Sequence, residues 1–174
     1  ETMAEVMALR NMVTELSAAR LCSHVSFHPV NLYDYMPEVK LSIAALADAN
    51  FSCTLYLEPD LPTVEFDPQL IKQALLNLIK NAYEAMKKHG TIHLVVTSTA
   101  ESVQLHVIDH GGGLDPALGN TIYQPFITTK TGGSGLGLAI TKQIMESHHG
   151  TLTCESRKGD GCTFTLTLPR TQAP

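Results

Sequence analysis

A two-layer α/β (α+β) fold is the architecture this sequence predicts: a mixed, mainly antiparallel sheet with helices on one face, preceded by an N-terminal helix. Three observations predict it. Strand-like alternation recurs in five segments, and two pairs of these are separated by short polar turns that favour hairpins. Apolar residues at helical spacing fill the stretches between. With 174 residues, 44% of them hydrophobic, the chain can bury one normal core plus an appendage.

The elements follow in order. Residues 2–20 read as an amphipathic helix, with Val6, Leu9, Val13 and Leu16 at the alternating three- and four-residue steps of a coiled-coil seam. Two readings of it stand open: a helix packed on its own domain, or part of a dimerisation helix that pairs two chains. After a break at Ser23–Pro29, a second helical pattern runs over Leu32–Ala49. Phe51–Glu58 alternates as a strand, and Asp60–Thr63 is a proline-marked loop. Asp67-Pro68 starts a helix, since aspartate caps free amides and proline suits the first helical position. That helix is expected to reach about Lys88 and stop at Gly90. Thr91–Thr99 and Val103–Asp109 form a hairpin, and residues 110–134 a long loop. A helix over Gly135–His149 and two strands, Gly150–Ser156 and Cys162–Leu168, complete the chain.

Composition removes several function classes. A net charge of −5 disfavours a general electrostatic role on nucleic acid or anionic membrane. The four cysteines show no Cys-x-x-Cys pair, so they read as ordinary thiols of a reducing compartment rather than a zinc site. No apolar run approaches the length of a membrane span. Because Glu1 falls inside a helical pattern, the chain is expected to be a cytoplasmic piece of a longer protein, whose parent could be membrane-anchored.

Three local patterns carry chemistry. On the helix from Asp67, Ile71, Leu75, Leu78, Ala82 and Met86 make an apolar stripe, while Asn77, Asn81, Glu84 and Lys88 make a polar one beside it. Amide oxygens of Asn77 and Asn81, one turn apart, are hard ligands of the kind Mg²⁺ accepts; a merely solvated polar face is the alternative. Asp109 ends an apolar strand beside glycines and could accept a hydrogen bond from an exocyclic amine, or simply cap a turn. The run GGSGLGLAI at Gly132–Ile140 feeds a helix N-terminus, where free amides and the helix dipole suit phosphate.

In order, NLIKNAYEA at Asn77–Ala85, DHGGGL at Asp109–Leu114, YQPFITTK at Tyr123–Lys130 and GGSGLGL at Gly132–Leu138 resemble the N, G1, F and G2 boxes of the ATP-binding catalytic domain of sensor histidine kinases. That family belongs to a superfamily with gyrase, the Hsp90 chaperones and MutL. The resemblance covers about residues 28–170 and ends with GDGCTFTLTLP; the TTK ending looks most like the nitrogen-regulation and sporulation-type kinases. It implies a catalytic domain over 28–170 and a remnant of the dimerisation helix over 1–23. It also implies ATP and Mg²⁺ as ligands. Asn81, with Asn77 beside it, would bind the metal, and Lys80 would lie near the phosphates, although its helix angle sets it off the asparagine stripe. Asp109 would take the adenine amine, with Gly111 and Gly113 giving room. Thr129 and Lys130 would sit in the lid, Lys130 acting with Asn81 as the catalytic pair. Gly133, Ser134, Gly135, Leu136 and Gly137 would wrap the phosphates, and Thr163 would lie on the strand backing the adenine pocket.

The chain departs from the pattern at His110, where the family has a small or amide residue, and at Cys162, where serine or threonine is commoner. A sharper difference concerns hydrolysis. The superfamily's ATPases carry a glutamate base four residues before the metal-binding asparagine; here that position is Asn77, which cannot act as a base at neutral pH. The γ-phosphate is therefore expected to await an external nucleophile. None of the eight histidines precedes an acidic residue, as the family's phosphoacceptor does. The expected partners are accordingly a histidine-containing dimerisation domain and a response regulator, with homodimerisation through the N-terminal helix. A serine-kinase relative of the same fold and a non-catalytic nucleotide-binding module are the alternatives.

Overall fold

Five strands form one sheet in the order β2-β4-β5-β7-β6, comprising β2 (Phe51–Leu57), β4 (Gly90–Ser98), β5 (Ser102–Asp109), β6 (Thr151–Arg157) and β7 (Gly161–Pro169). This computed structural model describes residues 2–6, 8–9, 12–13, 16, 24–45, 51–87, 89–112, 137–157 and 159–172. Only the β2–β4 pair is parallel; the other ladders are antiparallel. Alternation decides the layers. Ile92, Leu94, Val96, Val103, Leu105, Val107, Phe164, Leu166 and Leu168 are buried on one face. The intervening His93, Thr97, Gln104, His106 and Thr165 line the other, where His106 joins Thr97 and Thr165 through its two ring nitrogens. The expected mixed sheet with helices on one face is what forms.

Among the described residues, the helices that cover the sheet are α1 (Leu32–Ala44), α2 (Pro68–Ala85) and α3 (Gly137–Ser147). Each presents an apolar stripe to the core: Leu32, Met36, Val39 and Ile43 from α1, Ile71, Leu75, Leu78 and Ala82 from α2, Ile140, Ile144 and Met145 from α3. α2 begins as its sequence dictates, with Asp67 Oδ1 accepting from the Gln69 and Leu70 amides at 3.1 and 3.2 Å. Its end differs from expectation. The helix stops at Ala85, Lys87 takes the left-handed conformation (φ 55°), and Gly90 instead opens β4 at φ 114°. A left-handed residue did terminate the helix, but a lysine supplies it three positions earlier than the glycine.

Two short strands escaped the sequence reading. β1 (His28–Val30), expected within a break, pairs antiparallel with β3 (Val64–Phe66) in a separate two-stranded sheet. Beside it Phe66 is fully buried and meets Tyr35 edge-on at 5.1 Å. His148, also fully buried, ties this corner together. Its Nδ1 lies 2.8 Å from the Ile144 carbonyl, and its Nε2 accepts the Asp67 amide at 3.0 Å. Those two contacts require the neutral tautomer with the proton on Nδ1, and burial accordingly pulls the imidazole pKa below its ordinary value.

The described residues between 3 and 16 are helical. Val6, Leu9, Val13 and Leu16 on their seam are 46%, 62%, 63% and 70% exposed. Among the described residues no helix is long and apolar enough to cross a membrane.

Candidate functional site

The polar side of α2 organises the site. Asn77 and Asn81 are half-buried on it, and Ala85 continues the same line one turn further. At one end of the line the Asn77 amide donates to the Gly137 carbonyl at 3.4 Å. Gly137 opens α3, and its carbonyl also accepts from the buried Thr141 hydroxyl at 2.8 Å. A Cβ added at Gly137 would lie in ordinary contact, 3.9 Å from the Asn77 Cβ. Asn77 therefore docks the start of α3 onto the middle of α2. Nothing in the sequence marked Thr141 beyond its four-residue distance from Gly137, a spacing that returns a threonine hydroxyl to a helical carbonyl.

At the other end the strand-end loop meets the last turn of α2. Asp109 is 3% exposed, and its Oδ1 accepts the Gly111 amide at 2.9 Å. A Cβ on Gly111 would sit 2.7 Å from the Ala85 carbonyl oxygen, so glycine is needed there for the loop to touch the helix. Besides the room for a ligand that the resemblance implies, Gly111 lets the loop lie against Ala85. The β6–β7 turn closes the same corner, where the Gly159 amide donates to the Gly112 carbonyl at 2.7 Å. Gly161, at φ 94°, lets its backbone lie against the Asp109 carbonyl, a spot any side chain would fill.

Asn77, Asn81 and Ala85 thus mark one stripe of α2. Gly137 lies at its start, Asp109 and Gly111 at its end, and Asn81 midway. Eight residues at a rise of 1.5 Å span about 12 Å, the scale of an extended nucleoside triphosphate. The donor chemistry fits a hard divalent ion: two neutral amide oxygens one turn apart, with the nitrogen end of Asn77 turned to the Gly137 carbonyl.

Two expected residues stand apart from this group. Lys80 is exposed on α2, off the asparagine stripe. Thr163 pairs with Ile108 in the β5–β7 register, so the pleat turns it to the face opposite Asp109. Its neighbour Cys162 pairs with Asp109 and is buried on the core side. Gly113, Thr129, Lys130, Gly133, Ser134, Gly135 and Leu136 lie outside the described residues.

Comparison with known proteins adds the following. A family described as "Histidine kinase-, DNA gyrase B-, and HSP90-like ATPase" matches residues 66–172. The sensor histidine kinase ZraS of Escherichia coli (strain K12) is 34% identical over 173 residues, covering 96% of this chain; the chain spans 37% of that protein's length. Among solved structures, the catalytic domain of histidine kinase ThkA superposes with a TM-score of 0.75 at 31% identity, covering 84% of this chain and 99% of the other. ThkA in complex with the response regulator protein TrrA superposes with a TM-score of 0.79 at 28% identity, covering 97% of this chain and 49% of the other.

Proposed function

Since the chain belongs to the histidine kinase-, DNA gyrase B- and HSP90-like ATPase family, we propose that residues 28–170 are the catalytic domain of a two-component sensor kinase. This domain binds Mg·ATP and presents the γ-phosphate to a histidine of a dimerisation domain. The observation that carries the reading is the α2 stripe, which joins Asp109 and Gly111 at one end to Gly137 at the other, with Asn81 between them.

On this reading Asp109 accepts the adenine amine while holding the Gly111 amide with its Oδ1. Asn81 and Asn77 would hold Mg²⁺, which when bound would neutralise charge on the phosphates. Gly133, Ser134, Gly135, Leu136 and Gly137 wrap the phosphate oxygens at the start of α3, Lys80 approaches from the outer side of α2, and Thr129 and Lys130 close over the terminal phosphate. Asn77 offers no carboxylate base, so water is not activated and the phosphoryl group is kept for the incoming imidazole. Residues 1–23 belong to a dimerisation helix, and their exposed seam suits pairing with a second copy. The phosphoryl group passes on to a response regulator, as the ThkA–TrrA complex suggests by likeness. Dependence on ATP places the domain on the cytoplasmic side of the cell.

Calorimetric titration with ATP, with and without Mg²⁺, tests the site. Asn81→Ala should cost about ten- to a hundredfold in affinity with Mg²⁺ present and little without it, since a charge-assisted contact is worth roughly 1.5–3 kcal/mol. Asp109→Ala should weaken binding in both conditions. If neither substitution changes affinity, the site is misassigned. With γ-labelled ATP and a dimerisation domain supplied in trans, the label should be acid-labile; an acid-stable label would point to serine instead.

A further inference from the structure

Four cysteines are more than the proposed chemistry uses, and two of them meet. Cys154 on β6 and Cys162 on β7 face the core side of the sheet, two ladder positions apart on a diagonal, with their sulfurs 3.0 Å from each other. Cys162 is buried and Cys154 half-buried, so the outer sulfur is the one a small solute reaches. The contact is also placed beside the site. Cys162 is the register partner of Asp109, Gly161 before it lies against the Asp109 carbonyl, and the turn joining β6 to β7 is bonded to Gly112.

We propose that Cys154 and Cys162 form a dithiol site oxidised reversibly by peroxide, and that closing it to a disulfide shifts Asp109 and weakens adenine-nucleotide binding. The coupling to nucleotide rests on the reading of Asp109 given above; the thiol site does not. In the reaction, the Cys154 thiolate attacks one oxygen of hydrogen peroxide. The O–O bond breaks, a sulfenic acid forms, and the departing hydroxide takes up the thiol's proton as water. The Cys162 sulfur then attacks the sulfenic sulfur, the S–O bond breaks, and a second water leaves with the Cys162 proton. Two thiols give up two electrons and peroxide accepts them.

Roles divide between the two sulfurs. The hydrogen bond from Cys162 draws the Cys154 thiol below its ordinary pKa, whereas that same contact, burial and Asp109 push Cys162 up. Cys154 is thus the attacking and Cys162 the resolving thiol. Bond formation requires the sulfurs to close by about 1 Å. Gly161, which precedes Cys162, lies against the Asp109 carbonyl, so a shift of the Cys162 backbone is passed to Asp109.

The test uses the whole chain treated with hydrogen peroxide and digested with trypsin without reductant. Arg157 and Lys158 lie between the two cysteines, so cleavage puts Cys154 in peptide 143–157 and Cys162 in peptide 159–170. We expect these two peptides to be joined, 2 Da lighter than their sum, and to separate on reduction. Cys154→Ser should abolish the join. Binding of a fluorescent ATP analogue should weaken about fivefold on oxidation, the effect of one hydrogen bond, and recover with reductant. Separate peptides, or a bridge to Cys22 or Cys53 instead, would overturn the thiol site. A joined pair with unchanged affinity, in a protein where Asp109→Ala still weakens binding, would overturn the coupling. If Asp109→Ala also has no effect, the reading of Asp109 itself fails.

Discussion

Replacing Gly111 with alanine separates two reasons for a glycine to stand there. A Cβ at this position falls 2.7 Å from the Ala85 carbonyl oxygen and 3.0 Å from the Ala85 Cβ. The first distance is about 0.7 Å short of ordinary contact, and the obstacle is helical backbone with no rotamer to yield. Relief must come from the loop, which would strain the Gly111 amide bond to Asp109 and the Gly159 amide bond to Gly112. Overpacking of this kind costs about 1–3 kcal/mol, and a weakened hydrogen bond adds about 1 kcal/mol. We therefore expect Gly111→Ala to lose about 2–4 kcal/mol in urea unfolding without nucleotide, with a Tm fall of roughly 4–16 °C for a chain of this size. Gly112 is the control, because a Cβ there meets nothing within 4 Å. Gly112→Ala should stay within about 0.5 kcal/mol of the parent. Equal stabilities for the two variants, with nucleotide affinity lost only in Gly111→Ala, would refute the packing argument and restore the view that this glycine makes room for the ligand.

Two further outcomes concern polar groups elsewhere in the molecule. His148 and His106 are both held below their ordinary value of 6.5 by burial. As pH falls, the unfolded chain therefore takes up these protons before the folded one does. Stability should be level above about pH 7 and decline as pH drops through 6.5 towards the folded values, and His148→Gln should flatten part of that slope in urea midpoints measured from pH 8 to 5. Asp67→Ala removes the acceptor for the Gln69, Leu70 and Ser26 amides. It should cost about 2 kcal/mol, the upper end for an N-cap, and a loss below about 0.5 kcal/mol would show the cap to be dispensable.

What could be read in the sequence, and what could not, divides along the range of the interactions involved. Hairpin β4–β5, the Asp67 cap and the final strand pair are specified by neighbours a few residues apart, and all form within a residue or two of expectation, whereas α2 starts as expected and ends three residues short. β1 and β3 are three residues each, too short for alternation to register, and exist because they find one another across the chain. The Gly90 stop failed because glycine marks a permitted backbone and not a helix end; Lys87 reached the left-handed conformation first. At the site, Asn77, Asn81, Asp109 and Gly111 stood out by type and order, but the contact each makes did not. That Gly111 faces Ala85, that Thr141 shares the Gly137 carbonyl, and that Thr163 faces away from Asp109 are facts of packing and pleat phase. Predicting the first of them needs the packing of elements distant in sequence, which residue type and order leave open.

The line from Asn77 through Asn81 to Ala85 has a consequence for how this chain can vary. One residue inserted or deleted between Asn77 and Ala85 turns everything beyond it by about 100° and shifts it by 1.5 Å. The Gly137 contact and the Gly111 contact would then fall on different sides of α2. No single repair elsewhere restores both. Substitution along this segment is therefore open wherever a side chain faces away from the stripe, whereas its length is locked, and a library of insertions scored for folding should show a sharp gap over residues 77–85.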